Sequence, residues 1–242
     1  MLELKDLEVR LGAFRLTANL ALEPGLVAVM GPSGGGKSTL LSAIAGFQPV
    51  TSGRIAWNGE DLTERAPGAR PVAVLFQDNN LFPHLTLAQN VGLALGPSLK
   101  PDAEGRSRIE DALAQVGLGG RGKDRPGKLS GGQQSRAALA RVLLQDRPVV
   151  LLDEAFSALG PALRAEMLDL TAEVLGGADR LVLMVSHHPE DAARIAPRTL
   201  IVAEGEVTGP WETGPLLTDP PDVVRRYLGA LRAGVIGRGE VG

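Results

Sequence analysis

The chain has 242 residues, 44% of them apolar and 22% charged, which excludes extended disorder and fits one large domain or two small ones. Lys plus Arg number 25 against 28 Asp plus Glu, a net charge of −3 that argues against a nucleic-acid binder held mainly by bulk charge and leaves only a local basic groove for such a role. With no cysteine there is no disulfide framework, thiolate zinc site or cysteine nucleophile, and a reducing compartment is expected.

Met1 to Arg10 alternates apolar and charged residues and holds no continuous apolar stretch of the signal-peptide kind. Later apolar runs, such as Leu181–Val185, last five residues. A membrane span needs ~20. A chain that is neither secreted nor crosses a bilayer by itself is therefore expected.

Short runs rich in Val and Leu predict strands at Val27–Met30, Val72–Phe76, Val149–Leu152, Leu181–Val185 and Thr199–Val202. They do not alternate, which points to a mostly parallel sheet covered on both faces. The first runs straight into Gly31-Pro32-Ser33-Gly34-Gly35-Gly36-Lys37-Ser38, ahead of a helix predicted from Thr39 to Ala45. Glycines in a strand–loop–helix context let the backbone wrap phosphates, with N–H groups turned inward at a positive helix end. Lys37 would face the β- and γ-phosphates of a nucleotide, and Ser38 would bind Mg²⁺ through its hydroxyl. The bland alternative is a glycine-rich turn, and the flanking strand and helix favour the nucleotide.

Ile55 to Trp57, Asn58-Gly59 and Leu62 read as a β-hairpin. From about Asp78 to Asp146 helical spacing dominates, with Ile109, Leu113 and Val116 on one helix and Leu139, Val142 and Leu143 on another. That stretch reads as a helical subdomain inserted into an α/β core. Its Gly119–Lys128 segment carries Arg121, Lys123, Arg125 and Lys128 and is expected to be a solvated linker. Val149–Leu152 then ends in Asp153-Glu154. An acid at the end of a central strand is placed to meet a metal ion on bound phosphates, so Asp153 is the metal-side candidate. Glu154 could accept a proton from an attacking water. Pro161 opens a helix that Gly176 and Gly177 close, and the Gly- and Arg-rich tail past Gly229 is expected to be frayed.

Leu129-Ser130-Gly131-Gly132-Gln133 lies 23 residues before Asp153, counted from Ser130, and here the chain resembles the ATP-binding cassette family, whose signature it matches. Ser130 before a helix also reads simply as an N-cap. Gln77, after Val72–Phe76, and His187, in Val185-Ser-His-His-Pro189, match the family's Q-loop glutamine and switch histidine. The resemblance implies a P-loop NTPase core with a mostly parallel sheet, an N-terminal antiparallel β subdomain and the inserted helical subdomain at about 78–146. Residues 1–230 would form one ATPase domain and 231–242 the tail.

It further implies a catalytic set of Glu154, His187, Lys37 and Gln77, and Mg²⁺ held by Ser38, Gln77 and Asp153. ATP would be bound by Gly31 through Thr39, with Phe14 near the adenine, and in trans by Ser130, Gly131, Gly132 and Gln133. The partners implied are a second copy arranged head to tail, two transmembrane permease subunits and, indirectly, an extracytoplasmic solute-binding protein, with no nucleic acid. The location implied is peripheral, on the cytoplasmic face of the inner membrane. Leu75 to Phe82, Ser157 to Arg164 and Asp191 to Arg198 are similar to the ATP-binding subunits of bacterial thiamine importers. Cassettes for iron, sulfate or polyamines, or one acting on nucleic acid or ribosomes, are the alternatives.

Three positions depart from the family pattern. Leu11 stands where an aromatic residue usually stacks on adenine, which leaves Phe14 or an aliphatic surface for that task. Ala155 replaces a proline after the catalytic glutamate. Gly160 replaces an aspartate that joins the two ATP sites of the dimer.

Overall fold

The computed structural model describes residues 1–177, 179–221 and 224–225. It opens with two antiparallel strands, β1 (Leu2–Leu11) and β2 (Phe14–Leu22). Leu2, Leu4, Leu7 and Val9 are all buried although the spacing breaks at Asp6. A register shift between Leu4 and Leu7, with Asp6 at φ 46°, resets the alternation so that both halves of β1 face the core. The hairpin closes where Leu11 pairs with Phe14.

β3 (Gly25–Met30) leads into α1 (Lys37–Ala45), followed by β4 (Ser52–Trp57) and β5 (Glu60–Asp61). Asn58 and Gly59 between the last two have φ of 48° and 81°, the positive pair that a tight two-residue hairpin turn requires. Next come β6 (Val72–Phe76), α2 (Leu87–Gly92), α3 (Ala103–Gln115) and α4 (Gly131–Gln145). The remaining elements are β7 (Val149–Asp153), α5 (Pro161–Leu175), β8 (Leu181–Val185), α6 (Pro189–Ile195), β9 (Arg198–Ala203), β10 (Glu206–Glu212) and α7 (Thr213–Thr218).

The strands form one sheet in the order β5-β4-β1-β2-β10-β9-β3-β8-β7-β6. From β9 to β6 all pairings are parallel, whereas β1, β2, β4 and β5 pair antiparallel. β10 joins the two halves, parallel to β2 and antiparallel to β9. The parallel strands lack alternation because both their faces are buried. Leu151 and Leu183 pack with Leu40 and Ile44 of α1, while Leu152 and Met184 pack with the helices α2 to α5 on the opposite side.

Several elements extend or correct the expectations. α1 begins at Lys37, two residues before the predicted start, because Gly36 at φ 108° already serves as its N-cap. β10 was not legible, since Gly209 and Pro210 interrupt a short polar segment. Nor were the short helices α2, α6 and α7. The segment Gly119–Lys128 is no free linker. Asp124 and Gly122 carbonyls accept from the amides of Leu87 and Ala88, Arg121 pairs with Asp124, and Pro126 is buried. The predicted tail, 231–242, lies outside the described residues.

Candidate active site

The register of the parallel strands brings four chain segments to one edge. Val29 pairs with Val185, Val185 with Asp153, and Asp153 with Phe76. The residues just past these strands therefore emerge side by side: the glycine loop after β3, Gln77 after β6, Glu154 after β7 and Ser186-His187 after β8. This is where open parallel sheets hold ligands.

The glycine loop is shaped by its neighbours. Gly31 sits at φ 156°, and a Cβ there would lie 1.9 Å from the Val202 carbonyl oxygen. At Gly36 a Cβ would meet Phe14 Cζ at 2.8 Å. With no side-chain cap at Gly36, the first amides of α1 are free to hold an anion. The loop curls around Lys37, which is 5% exposed and whose Nζ donates to the carbonyls of Gly31 and Pro32, each at 2.9 Å. Burial pushes its pKa down, and the carboxylates of Glu154 and Asp153 oppose that shift.

Asp153 ends β7 with Oδ1 accepting from Ser38 Oγ at 3.2 Å. Burial raises its pKa, the Ser38 hydrogen bond lowers it, and the Glu154 charge raises it again. Glu154 itself has φ 50°, and its Oε1 lies 2.5 Å from His187 Nε2. The amide and hydroxyl of Ser157 both donate to the Glu154 carbonyl, at 3.1 and 2.8 Å.

Lys37, Ser38, Glu154 and His187 line one open cavity of about 480 Å³, together with Leu11, Phe14, Ser33, Gly34, Gly36 and Thr39. Leu11 and Phe14, paired at the tip of the first hairpin, both reach it, so an apolar ring system would meet an aromatic and an aliphatic side chain together. The Ser38 hydroxyl and the half-buried Asp153 carboxylate, 3.2 Å apart, are oxygen donors of the kind a hard divalent cation takes. Among the described residues no cluster of three or more His, Cys, Asp or Glu offers a metal site.

Gln77 is exposed just past β6 and does not line the cavity. Ser130 to Gln133 do not line it either. Ser130 caps α4, its hydroxyl accepting from the Gln133 amide while Gln133 Oε1 accepts from the Ser130 amide. Gly132 allows α4 to approach α5, since a Cβ there would lie 2.6 Å from Leu163 Cδ2. Sequence reasoning missed Ser186, Asp191 and Arg164, joined behind His187 by the Ser186–Asp191 hydrogen bond and the Asp191–Arg164 ion pair. A charged residue inside a helical pattern carries no mark of burial, so no signal was available.

A family model described as ABC transporter matches residues 17–157, spanning the glycine loop, Ser130–Gln133 and the end of β7. The chain belongs to the ABC transporter family. It is an ABC-type ATPase, and ATP is its nucleotide. The thiamine import ATP-binding protein ThiQ of a Ruegeria species is 56% identical to it over 231 residues, 95% of this chain and 100% of that relative. ThiQ of Cereibacter sphaeroides is 56% identical over 230 residues, again 95% and 100%. ThiQ of Mesorhizobium japonicum is 48% identical over 206 residues, 85% of this chain and 81% of the relative.

Among solved structures, a dimeric post-hydrolysis state of the ATP-binding cassette MJ0796 bound to ADP and Pi superposes with a TM-score of 0.73 at 27% identity. It covers 88% of this ABC ATPase and 99% of that chain. A second dimeric MJ0796 structure gives a TM-score of 0.74 at the same identity and coverage.

Proposed function

We propose that this ABC ATPase energises import of thiamine, or its phosphates, through a membrane permease. The observation that carries the reading is the 56% identity to thiamine import ATP-binding proteins over their whole length. ATP binds between the glycine loop of one copy and Ser130–Gln133 of a second, head-to-tail copy. The placement of that signature outside its own chain's cavity supports this arrangement. Lys37 leaves the carbonyls of Gly31 and Pro32 to hold the β- and γ-phosphate oxygens. Glu154 takes the proton of the attacking water, and His187 holds Glu154 until a γ-phosphate offers it a better partner. Ser38, Asp153 and Gln77 would hold Mg²⁺, which would supply neutralisation of the phosphate charge.

Two permease subunits are the membrane partners, with an extracytoplasmic solute-binding protein delivering the solute. No described helix is long and apolar enough to cross a membrane, so the chain would reach the bilayer through that contact. Phe76, immediately before Gln77, and Phe47, just past α1, are exposed with ring centroids 6.0 Å apart. Phe82 is exposed on the far side of the same loop. An apolar surface of this kind beside a nucleotide-sensing loop suits a permease segment.

The test is uptake of labelled thiamine by cells that lack this protein and cannot make thiamine. Uptake at nanomolar-scale supply and growth should both be lost and return with the wild-type gene. Normal thiamine uptake, with loss of another solute, would overturn the thiamine reading and leave the ATPase intact.

A further inference from the structure

Behind the Glu154–His187 pair lies a buried polar set that neither contacts the nucleotide cavity nor has a role in the proposed ATP cycle. Ser186 Oγ donates to Asp191 Oδ2 at 2.6 Å and accepts from the His188 amide at 3.1 Å. One hydroxyl thus grips the backbone on both sides of His187. The other oxygen of Asp191 lies 3.2 Å from Arg164 Nε, with Arg164 12% and Asp191 8% exposed at their side chains. Arg164 stands in the first turn of α5, where its amide donates to the Gly160 carbonyl at 2.9 Å.

The contacts link two consecutive chain segments at both ends. His187 meets Glu154, whose carbonyl Ser157 holds, and Ser186 reaches through Asp191 to Arg164, whose amide holds Gly160; the chain itself connects Ser157 to Gly160 and Ser186 to His187. Packing alone does not immobilise the imidazole, because a cavity of about 30 Å³ lies beside it, bordered by Glu154, Ser186, His187 and Asp191. Burying a carboxylate and a guanidinium for packing alone would be wasteful, since apolar side chains of similar volume stabilise as well or better.

We propose that Asp191 is a positioning residue for ATP hydrolysis. It fixes the Ser186–His188 peptide so that the His187 ring meets Glu154, and through Arg164 it makes the Gly160 end of α5 move with His187. This rests on the reading that His187 acts in hydrolysis.

The test measures steady-state and single-turnover hydrolysis by the complete transporter in lipid, with thermal unfolding alongside. Ser186→Ala and Asp191→Asn should each lower kcat about 10- to 100-fold while the KM for ATP changes less than about threefold. Asp191→Glu, which keeps both acceptors, should recover kcat to within about fivefold of wild type. In a His187→Ala background, Asp191→Asn should cost less than about twofold more, because its effect runs through the ring already removed.

Should Asp191→Asn fold poorly, Ser186→Ala, which removes only a hydroxyl, carries the same expectation. Normal kcat in Ser186→Ala and Asp191→Asn beside lost turnover in His187→Ala overturns this inference alone. Additive losses in the double variant also overturn it, since they mean a structural effect independent of His187. Wild-type kcat in His187→Ala overturns the role of His187, and the inference falls with it.

Discussion

His187 Nε2 lies 2.5 Å from Glu154 Oε1, and the Glu154 backbone that aims this carboxylate sits at φ 50°. A non-glycine residue in that region costs about 1–3 kcal/mol, and it persists only where its surroundings hold it. Here Ser157 does so, donating twice to the Glu154 carbonyl. The strain directs a carboxylate into the cavity beside Lys37. Glu154→Gln should keep the hydrogen bond to His187 and the affinity for ATP, yet lower turnover by about 100-fold or more, because an amide accepts no proton. Nucleotide binding and steady-state hydrolysis with the permease check it. Near-normal turnover would remove Glu154 from its role.

Lys37 plays two parts that a single substitution exposes. Its Nζ holds the loop through Gly31 and Pro32, and its side chain lines the cavity beside Ser38 and Glu154. Lys37→Ala should weaken ATP binding about 10- to 150-fold, the range set by one lost charge-assisted hydrogen bond. Far-UV circular dichroism should not change, since α1 and the strands keep their packing. Wild-type ATP affinity in the variant would contradict the phosphate cradle.

Legibility followed the range of the interaction. The parallel strands were visible because burial on both faces leaves unbroken runs such as Val149–Leu152 and Leu181–Val185. The glycine loop was visible because its backbone shape needs Gly at fixed offsets, since a Cβ at Gly31 would lie only 1.9 Å from the Val202 carbonyl oxygen. That Leu11 and Phe14 both reach the cavity was not decidable, since it depends on where the hairpin tip lands. The Gly119–Lys128 segment read as solvated because its charges are local, whereas its anchors are backbone bonds to Leu87 and Ala88. Asp191 and Arg164, 27 positions apart in sequence, meet only once α6 packs on α5.

Arg70 was equally hidden, and it carries a stability expectation. It is 3% exposed, and its guanidinium donates to the carbonyls of Ala43, Ile44, Thr63 and Arg65 at 2.7 to 2.9 Å. Two of these belong to the last turn of α1, the negative end of the helix whose other end faces the phosphate site. Gly46 gives it room, since a Cβ there would lie 2.5 Å from Arg70 Nε. Arg70→Ala should cost about 3 kcal/mol by stranding buried carbonyls. In a chain of this size that lowers Tm by about 6–12 °C. Arg70→Lys should recover only part, because an ammonium cannot span four acceptors in a plane. A loss below about 1 kcal/mol would mean that water satisfies these carbonyls instead.

Gly160 is a further departure from the family pattern, and its surroundings sharpen the test. It is the N-cap of α5, with φ −62°, ψ 158° and no side-chain cap. Apart from its chain neighbours, no atom lies within 4 Å of where its Cβ would be, so a side chain can begin there without a clash. Two effects of Gly160→Asp must be separated. As a cap, Asp improves on Gly by only a few tenths of a kcal/mol, with about 0.3–1 kcal/mol more from the helix dipole. As a charged group facing a second copy, it would tie one ATP site to the other. We expect Gly160→Asp to raise the Hill coefficient for ATP in the reconstituted transporter. Gly160→Ser should raise Tm by a similar small amount through capping but leave the Hill coefficient at its wild-type value. Unchanged Hill coefficients in both variants would make Gly160 a helix cap and nothing more, and the coupling would have to run through other contacts between the copies.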